Sequence, residues 1–150
     1  MKIRKMKKED VEAIMEIACS LPLWFTKTGL EHISIDLKFQ NGFVAADGDR
    51  VLGFPMYFVY ESVGNIGWLG IEPSHHRQGI GKKLCIHFEN MMKAEGVGVL
   101  QVYTLGDCVD YEPYARTRAF YRAMGFVEYK RETHDNPECP ESLYLRKKLF

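Results

Sequence analysis

The stretch Ile71-Glu72-Pro73-Ser74-His75-His76-Arg77-Gln78-Gly79-Ile80-Gly81-Lys82-Lys83-Leu84 constrains the fold of this chain more than any other. Before it, Ile66 to Ile71 reads as a strand. From Gly79 onward Ile80, Leu84, Cys85, Phe88, Met91 and Met92 recur at helical spacing, with Lys82, Lys83, Glu89 and Lys93 on the opposite face. Gly96 and Gly98 end that helix, and Val99 to Leu105 reads as the next strand. A helix between two strands is a crossover, so the flanking strands are expected to be parallel neighbours. Two glycines at the strand-to-helix junction free the backbone to present successive N–H groups at a helix N-terminus. Such a junction is a concave positive site suited to a phosphate-bearing ligand.

The rest of the chain supplies a sheet for that junction. Met1 to Lys5 alternates like a strand, and Val11, Ile14, Met15, Ile17 and Ala18 follow at helical spacing behind Glu9 and Asp10. A weaker helical pattern runs from about Leu30 to Phe39. Phe43 to Ala46 and Val51 to Tyr60 are strands separated by the turn Asp47-Gly48-Asp49-Arg50. Ile66 to Ile71 completes an antiparallel meander after a Gly64-Asn65 turn. Pro55 lies inside the middle strand, where a missing donor predicts a bulge. Past the crossover, Gly106 to Glu112 is a loop, and Pro113 opens a helix with Thr117, Phe120, Tyr121 and Met124 on one face and Gly125 as its C-cap. Phe126 to Thr133 and Leu143 to Leu149 are closing strands, antiparallel across the loop from His134 to Ser142.

With 150 residues the chain folds as one domain, burying roughly two-thirds of its unfolded-state surface. Twenty basic residues balance twenty acidic ones, which argues against nucleic acid and an anionic membrane as partners. Cys19, Cys85, Cys108 and Cys139 form no C-x-x-C pair, and no apolar leader or membrane-length run is present, so a reduced, cytoplasmic setting is expected. His75 and His76 point apart on an extended turn without further ligands at metal spacing, so no metal is expected.

Two common phosphate loops fail on single residues. A dinucleotide fingerprint needs a glycine where Leu84 stands, and a P-loop needs a glycine at His76 and a hydroxyl at Lys83. What remains, His76-Arg77-Gln78-Gly79-Ile80-Gly81, resembles the central Q/R-x-x-G-x-G/A signature of the GNAT superfamily of acetyl-CoA-dependent N-acetyltransferases, with His76 in place of the usual Gln or Arg. Tyr114-x-x-Thr117-Arg118-x-Phe120-Tyr121-x-x-x-Gly125-Phe126 is similar to the family's second signature. The element order from Lys2 to Leu149 matches too.

The resemblance implies a mixed α/β (α+β) fold over residues 1–150: a central, mostly antiparallel twisted sheet with a splayed parallel strand pair and helices on both faces. It implies acetyl-CoA as co-substrate, its pantetheine arm lying along Leu69, Gly70 and Ile71 like an added strand. The amides of Arg77 to Lys82, with His76, Arg77, Gln78, Gly79, Ile80, Gly81 and Lys82 forming the loop, are expected on the pyrophosphate. A backbone N–H near Ile71 would stabilise the oxyanion. Tyr121 matches the residue that protonates the leaving thiolate. Glu72 is the candidate base at the strand end, with Asp110, Glu112 or a water relay as competitors. Cys108 could accept the acyl group covalently, although the family transfers directly. Trp24, Phe25, Tyr111 and Tyr114 either border the acceptor pocket or cap the core.

The function expected is acetyl transfer to a primary amine of a small molecule or peptide, by a monomer or homodimer. The alternatives are a non-catalytic acyl-CoA-binding module and a nucleotide-binding regulatory domain.

Overall fold

The computed structural model describes residues Met1 to Phe150. Strands and helices follow one another as β1 (Lys2–Lys5), α1 (Val11–Cys19), α2 (Lys27–Asp36), β2 (Asn41–Asp47), β3 (Arg50–Tyr60), β4 (Val63–Ile71), α3 (Ile80–Ala94), β5 (Val99–Leu105), α4 (Glu112–Ala123), β6 (Val127–Thr133) and β7 (Glu141–Lys148). Hydrogen bonding orders the strands β1-β2-β3-β4-β5-β7-β6. The sheet is mostly antiparallel with one parallel pair, β4 with β5 across α3, as the crossover required. No helix is long and apolar enough to cross a membrane.

The chain forms two compact units, Met1–Phe58 with Ile66–Met91 and Val59–Asn65 with Met92–Phe150. Strand β4 thus changes company after Asn65. In the first unit, Ile14, Ile17 and Ala18 of α1 and Ile33 of α2 pack with Val44, Phe54 and Met56 of the meander. Successive strand residues face opposite ways, and Phe43, beside Val44, turns to α3, where its ring lies 4.8 Å from that of His87. Tyr57 joins it, 5.0 Å from the Phe88 ring. Asp10, 6% exposed, ties β1 to the start of α1. It accepts from both terminal nitrogens of Arg4, at 2.8 and 2.9 Å, and from the Lys7 amide at 2.7 Å. The Arg4 hydrogen bonds hold its carboxyl below the ordinary aspartate value. In the second unit, Leu100 and Val102 of β5, Tyr121 of α4, and Leu143 and Leu145 of β7 are buried, whereas β6 is almost wholly exposed.

Three local expectations shift. The hairpin between β3 and β4 turns at Glu61 and Ser62, with φ of +49° and +62°, not at Gly64-Asn65. Two successive left-handed residues are what a two-residue hairpin demands. Gly64 is instead needed for space, since a Cβ there would lie 2.9 Å from Met92 Sδ and 3.2 Å from Leu100 Cδ2. The β2–β3 register stays constant from Asn41 opposite Tyr57 to Ala45 opposite Gly53, so the ladder does not slip at Pro55. The bulge falls at the next step, where Ala46 faces Val51 and Leu52 is the extra residue. Finally, α2 begins three residues early because Thr26 caps it, its Oγ1 accepting from the Gly29 amide at 3.1 Å.

Candidate active site

The end of β4 is held close to β3 by two glycines. A Cβ on Gly53 would lie 2.7 Å from Ile71 Cδ1, and one on Gly70 would lie 2.9 Å from the Phe54 ring. The bulged Leu52 then offers its carbonyl to the Glu72 amide at 2.8 Å. Backbone groups alternate sides along a strand. With Glu72 turned to β3, the N–H and C=O of Ile71 and Leu69 face away from it. These two residues, on either side of Gly70, are among those the sequence named for the pantetheine arm.

After Ile71 the chain makes a single 3-10 turn, Pro73–His75, and then reverses. Arg77 and Gly79 both take left-handed backbone, with φ of +62° and +77°. Arg77 is the costlier of the two, because its Cβ is disfavoured there. Its neighbour fixes the turn: His76 Nε2 lies 2.8 Å from the Ile71 carbonyl. A carbonyl can only accept, so this ring donates from Nε2. The His76 ring also meets Trp24 edge-on, with centroids 6.2 Å apart. His76 therefore clasps the loop back onto the strand that precedes it.

Helix α3 then opens at Ile80, and the Lys83 amide donates to Gly79 O at 3.0 Å. The amides of Ile80, Gly81 and Lys82 have no carbonyl partner within the helix. They join those of Gln78 and Gly79 at the positive end of a fifteen-residue dipole. The side chains of Arg77, Gln78 and Lys82 are exposed while Ile80 is buried and pins the helix start. Geometry and polarity both suit an anion held by main chain.

Glu72 sits beside this loop in an ion pair with Arg50, 2.5 Å away, and its Oε2 lies 3.0 Å from His75 Nδ1. His75 Nδ1 also lies 3.0 Å from Ser74 Oγ. Chiefly through the Arg50 hydrogen bond, the Glu72 carboxyl is held below its ordinary value. Of the four aromatic candidates, Phe25 belongs to the core, edge-on to Trp68 at 5.8 Å. Trp24 is half-buried against His76.

In the second unit, α4 carries the second signature. Pro113, Arg118 and Tyr121 are its buried residues. Tyr121 is 4% exposed, with its ring edge-on to Phe120 at 5.1 Å and Phe126 at 5.5 Å. Tyr111 and Tyr114 lie at the helix start, their rings 6.0 Å apart, and burial pushes the Tyr114 phenol up to about 12. Cys108 is exposed, and its thiol is raised by desolvation and by Glu141, which makes its thiolate scarce. Glu112 is engaged by Arg116 at 2.8 Å. No group of acidic, histidine or cysteine side chains could hold a metal ion.

A family profile described as the Acetyltransferase (GNAT) domain matches residues 38–128, from just after α2 into β6. Solved structures match along nearly the whole chain. A Desulfovibrio desulfuricans protein ascribed to the GNAT family superposes with a TM-score of 0.84 at 17% identity, covering 99% of both chains. The ribosomal-protein-S18-alanine N-acetyltransferase of Escherichia coli gives 0.79 at 15% identity, over 99% of this chain and 93% of that one. An aminoglycoside 6'-N-acetyltransferase solved with coenzyme A gives 0.74 at 15% identity, over 100% and 98%. At such identities the likeness carries the fold alone. A search of curated proteins finds no match. The profile spans more than half the chain and contains both the glycine loop and the α4 signature, so the chain belongs to the GNAT acetyltransferase family.

Proposed function

We propose that this protein uses acetyl-CoA to acetylate a primary amine on a small molecule or peptide, by direct attack of the amine on the thioester. The observation that carries this reading is the strand-to-helix junction: the left-handed turn at Arg77 and Gly79 leads into the amides of Ile80, Gly81 and Lys82, which have no carbonyl partner within α3. A solved neighbour holds coenzyme A, which supports the same cofactor here.

In the proposed reaction the edge of Leu69, Gly70 and Ile71 pairs with the pantetheine amides, and the loop from His76 to Lys82 receives the pyrophosphate. The N–H of Ile71 stabilises the oxyanion, since that of Glu72 is already given to Leu52. A C–N bond forms, the C–S bond breaks, and the leaving thiolate takes the proton of the Tyr121 phenol. The high thiol pKa of Cys108 favours this direct route over an acyl-cysteine.

Glu72, the sequence's candidate base, is the less suited of the two catalytic candidates. A carboxylate braced by Arg50 is a weak proton acceptor. We propose that it fixes the turn and that the amine's proton leaves to water. The Arg50 hydrogen bond holds the carboxyl below the ordinary glutamate value, so a rate limb due to Glu72 would appear only in acid, rising with pH as the carboxyl ionises. Glu72→Gln should therefore leave the limb of kcat/KM near neutrality in place. Loss of that limb would make Glu72 the base after all.

Calorimetry with coenzyme A, followed by thiol release from acetyl-CoA across a panel of amines, tests the function. Binding with amine-dependent release is expected. Binding without turnover on any amine would indicate an acyl-CoA sensor, and no heat at millimolar coenzyme A would end the proposal.

A further inference from the structure

Arg118 is 6% exposed, yet it is a cation. With Pro113 and Tyr121 it makes up the buried side of α4, and Tyr121 follows it by three residues on the same face. Its Nη1 donates to the carbonyl oxygen of Leu105, the last residue of β5, at 2.8 Å. Enclosing a guanidinium is costly without an acceptor, and an apolar side chain would fill the space at less cost. What the apolar side chain lacks is direction. Hydrophobic contact leaves a helix free to roll, whereas a charge-assisted bond to a fixed carbonyl does not.

We propose that Arg118 is a positioning residue for the transfer step: its bond to the end of β5 sets the rotation of α4 and so the direction of the Tyr121 hydroxyl. This rests on the reading of Tyr121 as the acid for the thiolate.

The test compares Arg118→Met, which keeps length and apolar volume without a donor, Arg118→Lys, which keeps one, and Tyr121→Phe, alone and combined with Arg118→Met. Arg118→Met is expected to lower kcat by about 10-fold or more, with KM for acetyl-CoA within about twofold, and to shift the alkaline limb of kcat. Arg118→Lys should recover part of the loss. The double variant should be no slower than Tyr121→Phe, because the lost alignment no longer matters once the phenol is gone. A residue that only stabilises the fold would lower the melting temperature and leave the limb alone.

Wild-type kcat in Arg118→Met, or a double variant slowed by the product of the two single effects, overturns the positioning role and leaves Tyr121 standing. Wild-type kcat in Tyr121→Phe overturns both. Should Arg118→Met not fold, Arg118→Gln, whose amide is too short to reach the Leu105 carbonyl, takes its place with the same expected and overturning results.

Discussion

Replacing Tyr121 by phenylalanine is expected to lower kcat by about 10²-fold or more while KM for acetyl-CoA stays within about twofold. The substitution removes one oxygen from a ring that is 4% exposed and packed edge-on between Phe120 and Phe126. Both ring contacts survive in phenylalanine, and the melting curve reads whether the fold survives with them. What disappears is the proton available to a thiolate that would otherwise leave as an anion. Because that proton moves only in the transition state, the loss falls on kcat and on kcat/KM equally. The alkaline limb of kcat should vanish with it. Steady-state rates and a melting curve decide the matter: an unchanged kcat in a folded variant removes Tyr121 from the chemistry.

Gly79→Val should weaken coenzyme A binding by about tenfold, with kcat at saturation little altered. Gly79 has φ of +77°, and nothing lies within 4 Å of a Cβ placed on it. The effect is therefore conformational and not a clash. An L-residue pays roughly 1–2 kcal/mol in left-handed backbone, more when β-branched, and the loop relieves that strain by turning its amides away from their common focus. One tenfold step in affinity corresponds to about 1.4 kcal/mol. Gly79→Asn, which tolerates this region, should lose only a few-fold. Calorimetric titration with coenzyme A measures each, and wild-type affinity in Gly79→Val would show that the loop amides are not the anion site.

Most of the element order could be read from the chain because periodicity and glycine placement are local properties. The helix from Ile80 and the strand from Val99 show themselves by spacing alone, and a crossover between strands has one preferred hand and direction. The turn before β4 misled for an equally local reason. Gly64-Asn65 has the composition of a turn, but Met92 and Leu100, distant in sequence, require a residue without a side chain at position 64. Propensity supplied the turn reading of that glycine, and packing supplied the reason that holds. The bulge was displaced to Leu52 because that residue's carbonyl is needed by the Glu72 amide, a partner invisible in a reading of β3 alone.

The chain's own order of residues determined the family, the glycine junction and the tyrosine of α4, since each rests on residue types at short fixed spacings. Three things came only from the tertiary structure. Arg50 meets Glu72 across 22 positions and lowers its basicity. His76 folds back on the Ile71 carbonyl and meets Trp24. Arg118 finds the end of β5. In each case the partner is brought close by the sheet, and the strength of a charge or hydrogen bond depends on distance and burial, which sequence spacing does not contain.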